Sequence, residues 1–303
     1  MPAALQLIGA PTDVGASTRG AGMGPDALRV AGLAEALAAQ GLAVSDRGNL
    51  AGPPTPWSAP AGGLRHLEGV VAWNRAVFDA VGAALSAGQF PVLLGGDHCL
   101  AIGSISAVAR HCRAQGRALR VLWLDAHTDV NTPAVSPSGN LHGMPVACLL
   151  GHGPAALTGW SGAAQALRPE QFAFIGIRSV DAAERIAVRE LGLQVFDMRH
   201  LDEHGMRTTM TEALQGLDER THLHVSFDLD CLDPADASGV GTAVRGGPTY
   251  REMQLCIEMI ADTGRLGSLD VVEINPALDV RNRTAEVAVD LVASLFGRSV
   301  LAR

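Results

Sequence analysis

Residues 120–133 read RVLWLDAHTDVNTP, an unbroken apolar run that ends in acids and an imidazole. Such a run suits a strand buried on both faces, as in a parallel sheet with helices on either side. The alternation recurs along the chain. Strands are expected at 5–9, 42–46, 91–95, 120–125, 172–177, 193–197, 223–228 and 269–274. Helices are expected between most of them, at 25–39, 67–87, 99–114, 182–191, 203–216, 249–262 and 282–298. In VVAWNRAVFDAVGAAL (70–85) apolar residues return every three or four positions, as one buried helix face requires. The pattern predicts an α/β fold with a mostly parallel sheet. The Pro- and Gly-rich stretch 51–63 reads as a surface loop, with a place at an active-site rim as the second reading. One domain spanning 1–303 is expected.

Composition narrows the function classes. A chain of 303 residues can bury a large core, roughly 75% of its unfolded surface. Hydrophobic content of 48% against 18% charged residues excludes a disordered chain. A net charge of −8 gives no general attraction to nucleic acid or anionic lipid, so neither is an expected partner. All 23 basic residues are arginine, which reads as GC-rich coding rather than function. The five cysteines are an odd number without a CxxC pair, which argues against disulfides or a zinc–thiolate site and for a reducing cytoplasm. The start, MPAALQLIGAP, lacks a basic segment and runs into a strand, so no signal peptide is expected. No segment supplies the ~20 apolar residues that span a bilayer.

Ligands of open α/β sheets bind beyond the carboxyl ends of the strands. Four strand ends here carry polar clusters: PVLLG runs into GDH (His98), RVLWL into DAHTD, LHVSF into DLDCLDP, and LDVV into Glu273. Side chains at i and i+2 of an extended segment point the same way. Asp125 and His127 can therefore face one site, joined by Asp129 if the chain stays extended, and Asp228 and Asp230 can do likewise. With His98 these make four carboxylates and two imidazoles, the inventory for two divalent cations. Four negative charges balance two dications, which removes the cost of clustering buried acids. Oxygen-rich ligation without thiolate favours Mn²⁺, with Zn²⁺, Co²⁺ and Ni²⁺ also open. A lone Asp at a strand end is more often a cap. That reading is kept for Asp97, which is expected to orient a neighbour.

At these residues the chain resembles a known family. GGDHCLAIGS (95–104), DAHTDVNTP (125–133), SFDLDCLDP (226–234) and VVEINP (271–276) are similar to the four signature blocks of the ureohydrolases. These include arginases, agmatinases, guanidinobutyrases and formimidoylglutamases. GAPTDVG…RGAGMGPDALR (9–29) and GTAVRGGPTYRE (241–252) extend the resemblance over nearly the whole chain. It implies a three-layer α/β/α domain on a parallel sheet of about eight strands, in line with the eight candidates above. It implies two Mn²⁺ ions, one held by His98, Asp125, Asp129 and Asp228, the other by His127, Asp125, Asp228 and Asp230. A hydroxide shared by the ions would attack the guanidinium carbon. Glu273 would hold the guanidinium, Thr242 would lie beside it, and Asp129 or His142 would carry a proton to the leaving amine.

The loop after DAHTD speaks to the substrate. NTP followed by SGNLHG resembles the arginase loop, in which Asn131, Ser136 and Ser138 would read an α-carboxylate. Asn140 and Gly143 fall where contacts to the amino group are expected, and RSVDAAE (178–184) aligns Asp181 and Glu184 with that group. Ser179 departs from a frequent Asp, and Cys231 is expected to pack beside Asp230. A site built for both groups should reject agmatine and guanidinobutyrate, because buried polar groups would lose their partners. The resemblance thus implies an L-arginine-hydrolysing enzyme releasing L-ornithine and urea, and a homo-trimer or homo-hexamer. Another ureohydrolase activity, or a catalytically silent metal-binding protein, are the alternatives.

Overall fold

The computed structural model describes residues 4–57, 63–299 and 301. The expected surface loop 51–63 therefore lies partly outside the described residues. Among the described residues, eight strands form one sheet: β1 Leu5–Ala10, β2 Val44–Asn49, β3 Phe90–Gly95, β4 Ala118–Leu124, β5 Phe172–Ile177, β6 Gln194–Asp197, β7 Thr221–Asp228 and β8 Leu266–Val272. Their order is β2-β1-β3-β8-β7-β4-β5-β6, and all seven strand pairings are parallel. The interior strands β3, β5 and β7 are buried along their whole length, as their unbroken apolar runs require.

Among the described residues, nine α-helices lie between and after the strands: α1 Gly24–Val30, α2 Leu33–Ala38, α3 Leu67–Ser86, α4 Ala101–Ala114, α5 Pro145–Leu149, α6 Ala182–Leu191, α7 Met198–Ala213, α8 Tyr250–Asp262 and α9 Arg283–Leu295. Residues of α1, α2, α7, α8 and α9 join one core, around Leu94, Val225 and Leu269. Those of α3, α4, α5 and α6 join the other, around Leu93, Trp123 and Phe174. Alternate residues of one strand thus feed opposite cores, which makes three layers.

Three differences from the sequence reading have local causes. The helix expected at 25–39 is two helices, because Gly32 adopts a left-handed φ of 82° between them. The helix expected at 203–216 begins at Met198, where Asp197 accepts from the His200 amide at 2.8 Å, and it is interrupted at Gly205. The second strand lies at 44–49 rather than 42–46. It sits at the sheet edge with mostly exposed polar side chains, so apolar content did not mark it.

The four strands whose ends carry the polar motifs, β3, β8, β7 and β4, are consecutive at the centre of the sheet. Their carboxyl ends therefore open onto one place. Their opposite ends bury a separate polar group. His222, at the start of β7, pairs with Ser268 Oγ at 2.9 Å, and His224 reaches the same hydroxyl at 2.8 Å. Burial pushes the His222 pKa down to about 3, reinforced by His224, Arg117 and His111. A depressed folded-state pKa means that His222 favours folding above its unfolded pKa of about 6.5, and that this contribution falls as pH drops from there toward 3. The loss should reach roughly 4 kcal/mol at the acid end. Denaturant unfolding of His222→Gln is expected to show a shallower acid slope than wild type; parallel curves would contradict this.

Candidate active site

The turn after β3 delivers the first imidazole. A Cβ on Gly96 would collide with the Thr12 carbonyl, so only glycine fits this crossing. Asp97 then accepts from the amides of Cys99 at 3.0 Å and Gly15 at 2.8 Å, the orienting part expected of it. His98 follows, fully buried. Its ring stacks on Trp123 (4.1 Å between centroids, 7° between planes), and its Nε2 pairs with Ser226 Oγ at 2.8 Å.

With Nε2 engaged, Nδ1 faces three carboxylate oxygens: Asp228 at 3.0 Å, Asp125 at 3.1 Å and Asp129 at 3.3 Å. It is buried without an aligned hydrogen-bond partner. Asp125 Oδ2 also accepts from Trp123 Nε1 at 2.8 Å, so one indole fixes both the His98 ring and the Asp125 carboxylate. On the other side of Asp125, His127 Nδ1 lies 3.4 Å from Oδ1 and 3.1 Å from Asp230 Oδ2. Two groups that could hold a metal result, His98–Asp125–Asp228 and Asp125–His127–Asp230, with Asp125 common to both. The unpartnered, buried Nδ1 among carboxylates fits a divalent cation, which would satisfy all of them together.

The electrostatics fit the same reading. Burial opposes a charge on His98, yet Asp125, Asp129 and Glu273 push its pKa up to about 9. Burial likewise opposes a charge on His127, and Asp230 and Asp125 raise it to about 12. Asp129 is raised by burial and by Asp125, and Asp228 by burial, Asp230 and Asp125. The cluster thus concentrates negative charge that its imidazoles offset, the field a dication would meet.

Glu273 follows β8 in a left-handed conformation, φ 64°, and Asp129 has φ 50°. Backbone strain of this kind gathers at functional sites. Glu273 is buried, and its Oε1 accepts from the His98 amide at 2.8 Å and meets His142 Nδ1 at 2.9 Å. Burial opposes its ionisation, but His142 keeps the carboxyl below its usual range, and Glu273 in turn raises His142 against burial. Thr242 Oγ1 donates to Asp230 Oδ2 at 2.8 Å, which ties the 241–247 segment to the cluster.

All six expected ligands converge. Asp125 lies behind the other five, which border a cavity of about 200 Å³ together with His142, Thr242 and Glu273. Asn131, Gly143, Ser179, Asp181 and Glu184 form another part of its wall. Asp181 caps α6 through the Ala183 and Glu184 amides and accepts from Asn131 Nδ2 at 2.9 Å. Glu184 Oε1 accepts from Thr128 Oγ1 at 2.9 Å and the Val130 amide at 3.3 Å, so it braces Asp129 from both neighbours. Ser136, Ser138 and Asn140 do not border this cavity. Ser136 Oγ accepts from the Gly139 amide at 3.0 Å and Ser138 Oγ from the Asn140 amide at 3.2 Å, so both hydroxyls shape their own turn. Cys231 is buried beside the Ile175 carbonyl, where burial holds its thiol protonated.

Sequence reasoning passed over Ser226 and Trp123, which fix His98 and Asp125. Each stands on a strand two residues before a ligand in the chain, so the spacing rule that found the ligands also marks their supports.

A parallel α/β/α sheet with a buried carboxylate–imidazole cluster at its carboxyl edge, able to hold metal, is the build of a metal-dependent hydrolase. A family model described as the Arginase family matches residues 3–297. This chain belongs to that family. It is 44% identical over 300 residues to an arginase of Bacillus caldovelox, covering 98% of this chain and 99% of the relative. It is 45% identical over 304 residues to an arginase of Brucella melitensis, covering 98% and 97%. The native B. caldovelox arginase crystal structure at pH 5.6 superposes with a TM-score of 0.93 at 43% identity, covering 98% of this chain and 99% of that one.

Proposed function

We propose that this chain hydrolyses L-arginine to L-ornithine and urea at a centre of two Mn²⁺ ions. The observation that carries the centre is the unpartnered, buried His98 Nδ1 among three carboxylates, with Asp125 common to both candidate metal groups. His98, Asp125, Asp129 and Asp228 would hold one ion, and His127, Asp125, Asp228 and Asp230 the other. Such ions acidify water and make a nucleophile available near neutral pH. Oxygen-rich ligation without a thiolate favours Mn²⁺ among divalent metals.

The chain's own groups do the rest. Glu273 accepts the planar donors of the guanidinium and orients its carbon toward the cluster. His142, its Nδ1 anchored on Glu273, moves a proton to the leaving amine through Nε2, with Asp129 as a second carrier. Asp181 and Glu184 serve the α-ammonium, Asn131 serves the α-carboxylate from the cavity wall, and Thr242 steadies the guanidinium pocket. The 136–140 turn, which leads into the wall residues His142 and Gly143, would meet the carboxylate through the hydroxyl protons that its own bonds leave free. The relatives named above as arginases support this choice of substrate. One sheet with a core on each face supports a single catalytic domain over 1–303. No described helix is long and apolar enough to cross a membrane, and all five cysteines are free and buried. These support a reducing, cytoplasmic setting, and we assign the chain to a homo-trimer or homo-hexamer.

Urea release from L-arginine, agmatine and 4-guanidinobutyrate after Mn²⁺ loading tests the reading. L-Arginine is expected to lead by roughly a hundredfold or more, since each missing charged group leaves buried partners unpaired. Faster release from agmatine would reject the assignment.

A further inference from the structure

The turn at 136–140 is held by a cation from outside the motifs discussed so far. Arg65 lies at the end of the Pro- and Gly-rich stretch, just before α3. Its backbone amide donates to the Gly139 carbonyl at 2.8 Å, and its Nε donates to Asn140 Oδ1 at 2.9 Å. Gly139 is left-handed, φ 67°, and a Cβ there would run into the Gly63 carbonyl, so the two segments pack backbone to backbone.

Asn140 is only 8% exposed. Its Nδ2 donates to Ser17 Oγ at 3.1 Å, and the His142 amide two residues on donates to the Gly15 carbonyl at 3.2 Å. The turn is thus pinned from one side by Arg65 and from the other by residues 15–17. Among the described residues, the bond to Asn140 is the one hydrogen bond made by the Arg65 side chain. Its loss would strand a buried amide oxygen and leave the backbone bond to Gly139 as the remaining hold on that side of the turn. Arg65 also stands in a cationic neighbourhood: burial lowers the His66 pKa, and both Arg65 and Arg19 lower it further.

The geometry points to Arg65 as a positioning residue: it sets the 136–140 turn and, through it, the preference for guanidino substrates that carry an α-carboxylate. This rests on the L-arginine reading above. Wild-type turnover of L-arginine over agmatine is therefore measured first, and its failure would reject that reading rather than this one.

Steady-state kinetics of Arg65→Ala and Arg65→Gln then test the clamp, with thermal unfolding recorded for each. The glutamine variant carries the test if alanine does not fold. KM for L-arginine is expected to rise about tenfold, the cost of losing one charge-assisted hydrogen bond, while kcat stays within about twofold. kcat/KM for agmatine should stay level, so the preference for L-arginine falls about tenfold. Asn140→Ala should give a similar rise, and the double variant no more than either single one. Arg65→Lys, which keeps the charge but not the Nε donor, should not restore KM. The proposal is overturned by an unchanged KM, by equal losses on both substrates, by additive single effects, or by full rescue with lysine.

Discussion

Asp125→Ala is expected to lower kcat/KM for L-arginine by at least about a thousandfold, the scale of the several kcal/mol that a bound metal contributes. Bound Mn²⁺ should fall at both positions together. Asp125 is the carboxylate common to the two candidate metal groups, and two hydrogen-bond donors and two imidazoles surround it. Trp123 Nε1 at 2.8 Å and the His127 amide at 2.6 Å orient it, and the two imidazoles face it at 3.1 and 3.4 Å. Burial works against its charge, yet His127 and His98 hold it below the usual carboxylate range, so it is ionised at neutral pH. Asp125→Asn keeps the shape and one acceptor oxygen but halves the oxygen ligands, and should fail nearly as badly. A variant with full metal content and wild-type turnover would refute the shared-ligand arrangement.

Glu273→Gln is expected to cost on the order of a hundredfold in kcat/KM, with metal content near wild type. The carboxylate is buried and already accepts from the His98 amide and from His142. Glutamine can keep both bonds, which share Oε1, but removes the negative charge a guanidinium requires. Truncating one partner of a buried charge pair costs about 2–5 kcal/mol. The left-handed backbone at Glu273 stays unchanged in this variant, so the loss reports on the charge rather than on the turn. Urea release within about fivefold of wild type would remove Glu273 from guanidinium binding, since less than one kcal/mol is then at stake.

Much of the site was legible because β-structure has a fixed period. Two-residue spacing brings Asp125 with His127 and Asp228 with Asp230 to one face, and parallel strands end on one side of the sheet. The same rule would have found Ser226 and Trp123. Strand order was not legible: that β3, β8, β7 and β4 are neighbours depends on helix packing across the 183 residues from Phe90 to Val272, and no local pattern encodes it. Nor was the direction of the 136–140 hydroxyls. Serines that bond to a ligand and serines that bond to their own turn have the same composition, and Ser136 and Ser138 do the latter here. Arg65 escaped notice because its partner is 75 residues away and its surroundings read as loop.

Urea release from L-arginine by chelator-stripped protein, followed as Mn²⁺ is added back and the bound metal is counted, tests the central claim most directly. Activity is expected to be absent in the stripped chain and to rise with occupancy to a plateau at two Mn²⁺ per chain, the number that its four carboxylates and two imidazoles balance. Undiminished urea release from stripped protein, or a plateau reached with Asp228→Ala carrying no metal, would contradict it.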